Sequence, residues 1–117
     1  MSEDAFDREE LLEELDGDWE FLEESVEMLK EDSVGLLAQI RTGMAAGDAD
    51  TVWQGAHTIK SMVGNFAAGP AFATALAIET RGRANDLDGL VAQFEKLESE
   101  LQRLTSELEA LLAGARD

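Results

Sequence analysis

The apolar residues of the last third of the chain recur at alternating spacings of three and four, the period of an α-helix that packs along one seam. They are Phe94, Leu97, Leu101, Leu104, Leu108 and Leu111. The chain has one proline, and no run alternates apolar and polar residues as a half-buried strand does. The sequence therefore predicts an all-α protein.

Four further segments with helical spacing precede this seam, and turn-forming residues separate them. Short links between the long segments favour an antiparallel up-down-up-down four-helix bundle, with a short extra N-terminal helix as a lid. Residues 1–117 are expected to form one domain, with residues 1–4 frayed. The second segment has Phe21, Leu22, Val26, Leu29, Val34, Leu37 and Ile40 at helical spacing. The five predicted helices lie around Leu11, at residues 18–44, at 49–67, from Pro70 to the 82–85 region, and over about 25 residues after Asp86 or Asp88.

Charge and composition exclude several classes of function. Against 26 acidic residues there are 9 basic ones, for a formal net charge of −17. This balance argues against nucleic acid and against anionic membranes as partners, and suits a partner with a basic rim. With no cysteine and no long apolar run, the chain is expected to be cytoplasmic, without disulfides, thiolate metal sites or membrane spans.

The only histidine, His57, lies in the third predicted helix. At about 100° per residue, His57 falls opposite the apolar stripe and faces water. Trp53, Lys60 and Gly64 lie on the same side, because residues three, four and seven apart share a helix face. The stripe itself consists of Val52, Ala56, Ile59, Val63 and Phe66.

One histidine without cysteine cannot build a catalytic triad or a zinc site, and no nucleotide-binding glycine pattern is present. The chain is therefore expected not to be an enzyme, and to hold no metal or cofactor. An exposed imidazole can still accept a phosphoryl group on Nε2, with Lys60 placed to meet the phosphoryl oxygens. Taken alone, a single helical histidine such as His57 is more often an ordinary surface residue.

The segment Ala56-His57-Thr58-Ile59-Lys60, followed by Gly64-Asn65-Phe66, resembles the signature of histidine-containing phosphotransfer (HPt) domains. Ile78-Glu79 and Gly82-Arg83 fall where this family has Leu-Glu and Gly-Arg pairs on the next helix. The resemblance implies a helical bundle that shuttles phosphoryl groups between receiver-domain aspartates of a two-component phosphorelay. Partners would be receiver domains of response regulators or a hybrid histidine kinase, and Mg²⁺ would belong to the receiver.

The resemblance also implies roles for single residues. His57 would be the phosphoacceptor, and Lys60 would assist transfer and steady the phosphohistidine. Glu79 and Arg83 can pair one turn apart and would either orient the ring or phosphate, or form a plain surface salt bridge. Trp53 is either a docking aromatic or a packing residue, and the docking face would centre on Trp53, His57, Lys60, Ser61 and Gly64.

Two positions depart from the family pattern. Ser61 and Ala67 stand where the family usually has glycine, four and ten residues after the histidine. Ser61 is expected at the docking surface, where it would leave transfer possible but alter its rate or the range of partners. Ala67 is expected to adjust packing near the end of the helix.

We keep two alternatives to a free-standing phosphoryl carrier. One is an HPt-like adaptor that is not phosphorylated and regulates a receiver or a kinase by docking alone. The other is a generic acidic helical interaction protein that uses the leucine seam of the last helix. The carrier is expected to be a monomer, with weak dimerisation through the overhanging end of that helix as an option.

Overall fold

A computed structural model describes residues 4–116, and within that range it contains five α-helices and no strands. The all-α prediction is confirmed. Residues 1–3, part of the segment expected to be frayed, lie outside the described residues. The helices are α1 (Arg8–Leu15), α2 (Trp19–Ala46), α3 (Ala49–Gly64), α4 (Gly69–Arg83) and α5 (Leu90–Arg116).

Aspartates define where the first three helices begin. The side chains of Asp7, Asp18 and Asp48 each accept a hydrogen bond from the backbone N–H three residues later. Each carboxylate thereby satisfies one of the N–H groups left unpaired at a helix start, where the helix dipole also favours negative charge. The start of α4 instead has Pro70 in its first turn, where a missing N–H is tolerated.

The four long helices form a bundle in which α2 packs on α3, α3 on α4, α4 on α5, and α5 on α2. The seam of α5 is fully inside, since Leu97, Leu104 and Leu108 are buried. The short α1 and the residues just before it cover one end of the bundle, with Phe6, Leu11 and Leu15 buried. Its start is tied to the turn after α3, because the N–H of Asp7 donates to the carbonyl of Ala67 at 2.8 Å. No helix among the described residues is long and apolar enough to cross a membrane.

The end of the third helix differs from the prediction. Helix α3 ends at Gly64, three residues before the predicted end at Ala67. Ala67 has a φ of +55°, in the left-handed region, which terminates the right-handed turn. The spacing of apolar residues did not reveal this break. Val63 before the helix end and Phe66 after it are both buried, as they would be in a continuous helix.

Two of the α2 residues that the sequence places at helical spacing, Phe21 and Val34, do not face the core. The buried stripe of α2 runs through Leu22, Val26, Leu29 and Ser33. Phe21 and Val34 lie one position off that stripe, about 100° round the helix, and are 62% and 70% exposed. Their helical spacing with the core residues therefore did not indicate burial.

Candidate functional site

His57 lies midway along α3, with half of its side chain exposed to solvent. The core stripe of the same helix, Ala56 and Ile59 included, is buried on the opposite side. This is the orientation that the helical periodicity predicts. The Nδ1 atom of His57 lies 3.0 Å from Oε2 of Glu79 on the neighbouring helix α4.

Glu79 is the centre of the site. Its side chain is buried to all but 7%, and it meets three nitrogen-bearing side chains. Lys60 Nζ lies 2.7 Å from Oε1 in an ion pair, and Arg83 Nε donates to Oε2 at 3.1 Å. Together with the His57 contact, these bring four of the residues predicted from the sequence, His57, Lys60, Glu79 and Arg83, into one cluster.

This cluster holds Glu79 in its ionised form. Burial alone would raise the pKa of the carboxyl, but Lys60, His57 and Arg83 outweigh it and lower the pKa of Glu79 to about 2. At neutral pH the carboxylate is therefore charged and can only accept hydrogen bonds.

The ionised carboxylate fixes the tautomer of the neutral imidazole. Because Glu79 has no proton to donate, the hydrogen bond requires His57 Nδ1 to carry the hydrogen. The other ring nitrogen, Nε2, then keeps its lone pair. The half-exposed ring thus presents a nucleophilic nitrogen whose orientation is set from behind by a buried charge.

Trp53 supports the cluster from one turn before the histidine. The Arg83 guanidinium stacks on its ring, with the guanidinium carbon 3.9 Å from the ring centroid. The indole N–H donates to Asp50 at 3.2 Å. Trp53 is half-buried, so the structure gives it a definite packing role beside Arg83. Its predicted part in docking stays a prediction.

A close approach between α3 and α4 makes these contacts possible. A Cβ added to Gly82 would lie 2.7 Å from Trp53 Cβ and 3.1 Å from the Trp53 backbone nitrogen. Because no side chain fits there, the two helices can lie near enough for Glu79 to reach α3.

Ser61 and Gly64 continue the exposed face of α3 beyond His57. Neither enters the Glu79 cluster. Sequence reasoning missed Phe72, whose ring lies 6.0 Å from Lys60 Nζ and next to Gly64. The spacing could have indicated that Phe72 lies near the site, because it is seven residues before Glu79 and residues seven apart share a helix face.

Among the described residues there is no group of three or more His, Asp or Glu side chains placed to hold a metal ion. The cations near His57, Lys60 and Arg83, are both engaged with Glu79.

Comparison with known families agrees with this geometry. Residues 7–114, nearly the whole chain, match the model of the Hpt domain. The chain belongs to the Hpt domain family. This Hpt domain is accordingly a histidine phosphotransfer module of the phosphorelay type, and His57 is its only histidine.

The fold of this Hpt domain is similar to a solved structure, the crystal structure of histidine-containing phosphotransfer protein B (HptB) from Pseudomonas aeruginosa PAO1. The TM-score is 0.86, and the superposition covers 96% of this chain and 97% of HptB. Identity is 20%, so the likeness concerns the fold. No curated protein sequence gave a significant match.

Proposed function

We propose that this Hpt domain carries a phosphoryl group on Nε2 of His57 between aspartates of receiver domains. The observation that carries the proposal is the hydrogen bond from His57 Nδ1 to the buried, ionised Glu79. It leaves the lone pair on Nε2, on a ring that is half-exposed and held in one orientation. A histidine with these properties can accept a phosphoryl group without a general base, because Nε2 carries no hydrogen.

The transfer step is a displacement at phosphorus. The Nε2 lone pair forms the N–P bond as the P–O bond of the aspartyl phosphate breaks, and the aspartate leaves as a carboxylate. The Nδ1 hydrogen stays in place, so the phosphorylated ring carries a positive charge that faces Glu79. A fixed negative charge beside a developing positive charge stabilises that state.

Lys60 supplies positive charge beside the transferred group. Its ammonium is one turn from His57 and already ordered by Glu79 at 2.7 Å. A phosphoryl group arriving on Nε2 adds negative charge that attracts Lys60. Further catalysis, with the Mg²⁺ that neutralises the phosphoryl oxygens, would come from the receiver domain. This chain acts as a carrier, with no cofactor of its own and no enzymatic turnover.

Gly64 supports a docking role for the exposed face of α3. A Cβ at this position would make only ordinary contact with Phe72, at 3.6 Å. The bundle therefore tolerates a side chain at Gly64, whereas it excludes one at Gly82. The bare surface at Gly64 leaves room for a partner. Trp53 and Ser61 border the same face.

The proposed partners are receiver domains of response regulators or of a hybrid histidine kinase, in the cytoplasm, with this protein as a monomer. Neither nucleic acid nor a membrane is part of the proposal.

The test is a phosphotransfer assay from a phosphorylated receiver domain to the wild type and to His57→Gln. We expect acid-labile, alkali-stable label on the wild type only. His57→Gln should keep its fold, with a stability change of about 1 kcal/mol or less, because the ring is half-exposed. Label on His57→Gln, or none on the wild type despite binding, would overturn the proposal; the second result would favour a docking adaptor.

A further inference from the structure

An apolar groove runs between α1, α2 and α3 and ends at the docking face of the histidine helix. Its cavity volume is about 760 Å³, and Leu15, Phe21, Met28 and Met62 are among the apolar residues that line it. Gly64 lies at its α3 wall. Since Gly64 is seven residues from His57 on the same helix face, the groove is continuous with the surface around the histidine.

The groove exposes large apolar side chains that the core does not use. Phe21 and Met28 are 62% and 61% exposed, and they stand seven residues apart on one face of α2. Paired exposed apolar residues of this size, next to polar ones, are characteristic of an interaction surface.

The margin of the groove is strongly acidic. Glu14, Asp18 and Asp32 line it, and Glu31 adjoins Asp32 beside Met62. Within the part of the chain that the structure describes, Glu14, Glu31 and Asp32 have no cation at ion-pair distance. Their charge is therefore available to a partner.

The nearby basic residues point elsewhere. Ten of the 21 residues from 9 to 29 are Asp or Glu, and none is Lys or Arg. On α2, Lys30 and Arg41 reach across to Glu109 and Glu98 of α5, away from the groove. The surface thus has a sharp division, with a cationic cluster at Lys60 and Arg83 and an acidic groove beside it.

We propose that the groove selects its receiver domain by charge, taking one whose apolar docking face is bordered by lysines or arginines. This inference rests on the proposed function and adds the chemistry of the partner. Apolar contact with Phe21 and Met28 supplies affinity, whereas the unpaired carboxylates steer encounter and repel receivers with an acidic border. A second copy of this chain, with a net charge of −17, is disfavoured as the occupant.

The test compares two variants of equal net charge. Glu14→Gln/Asp32→Asn removes two charges from the groove, and Asp88→Asn/Glu95→Gln, called the α5 variant, removes two exposed charges at the start of α5. Asp18 is left unchanged because it caps α2. The probe is one phosphorylated receiver domain with lysines around its apolar docking face, and the same domain with those lysines changed to glutamate.

Association rates are measured by stopped flow across a salt series. We expect the wild type and the α5 variant to bind the lysine form about tenfold or more faster than the glutamate form at low salt. The groove variant should lose most of this difference and show a shallower salt dependence. Phe21→Ala/Met28→Ala should weaken binding while the salt dependence is kept.

Equal behaviour of the groove and α5 variants, or equal rates with both receiver forms, would overturn the inference. So would a concentration-dependent mass of the wild type that Phe21→Ala/Met28→Ala abolishes, since a second copy would then occupy the groove. Phosphorylation of His57, measured at a saturating concentration of the phosphorylated receiver, tests the proposed function separately. Charge-dependent docking without label would leave this inference standing and remove the carrier role.

Discussion

The Nδ1 atom of His57 lies 3.0 Å from Oε2 of Glu79, a contact between residues 22 positions apart on adjacent helices. The same carboxylate pairs with Lys60 and Arg83, so one buried group orders the nucleophile and both nearby cations. Glu79 therefore acts as a positioning residue in the proposed transfer, because it would influence the phosphoryl group only by holding His57 and Lys60 in place.

Replacement of Glu79 by glutamine tests this role. The neutral amide can donate to Nδ1 as well as accept from it, so the imidazole would lose its preference for one tautomer. A hydrogen bond to a charged group contributes about 1.5–3 kcal/mol, and its loss should slow phosphotransfer by roughly ten- to a hundredfold. Rates from a phosphorylated receiver, together with ¹⁵N shifts of the ring nitrogens, measure both effects.

Glu98→Gln is the matched control, because Glu98 also pairs with an arginine, Arg41, but lies on α5 away from the histidine. It should leave the transfer rate and the His57 tautomer unchanged. An unaltered tautomer in Glu79→Gln would show that Glu79 contributes to stability alone.

The low pKa of Glu79 predicts an acid dependence of folding. The pKa falls from an ordinary value of 4.5 to about 2 in the folded protein. The stabilisation is therefore complete above about pH 4.5 and is lost as the pH falls towards 2. Because a pKa difference between the folded and unfolded states is a free-energy difference, this stabilisation of the folded state is on the order of 3 kcal/mol. Urea unfolding of the wild type and Glu79→Gln at neutral pH and at about pH 2 should show this difference shrinking in acid. A difference that does not change with pH would contradict the assignment.

Sequence periodicity predicted much of the fold and the orientation of His57, because each depends on one helix at a time. The leucine seam of α5 lies inside the bundle, and His57 lies opposite the buried stripe of α3. The pairing of Glu79 with Arg83 was also predicted, since it joins residues one turn apart.

Contacts between helices were not predictable in the same way. A helical period gives the face of a residue but not the register of two helices against each other. The register of α3 on α4 depends on the close approach at Gly82, and it places Glu79 between His57 and Lys60. The resemblance placed Glu79 near the histidine, but its burial and its three partners came from the structure.

Two glycines of the site are expected to respond oppositely to alanine. Gly82→Ala forces a methyl group against the Trp53 backbone and should destabilise the protein by about 1–3 kcal/mol. Gly64→Ala meets only ordinary contacts, so stability should be unchanged or rise by up to about 1 kcal/mol.

Transfer should nevertheless slow in Gly64→Ala, because the methyl group occupies surface meant for the receiver. Crowding of about 1–3 kcal/mol at that interface corresponds to roughly a five- to hundredfold weaker complex. Urea unfolding and receiver titrations separate the two quantities. Full receiver affinity in Gly64→Ala would place the docking surface away from this end of α3.

The turn after α3 contains a strained residue whose relief should stabilise the protein. Ala67 has a φ of +55°, a conformation that costs an L-residue about 1–2 kcal/mol and glycine very little. Ala67→Gly removes that strain, and the greater freedom of glycine in the unfolded chain offsets part of the gain. We expect a net stabilisation of about 0.5–1 kcal/mol, with phosphotransfer unchanged. Ala73→Gly, the same chemical change at an exposed position inside α4, should instead destabilise by about 1 kcal/mol. Urea unfolding measures the free energy of unfolding of both variants. An equal decrease in the two would mean that the backbone at Ala67 is not strained.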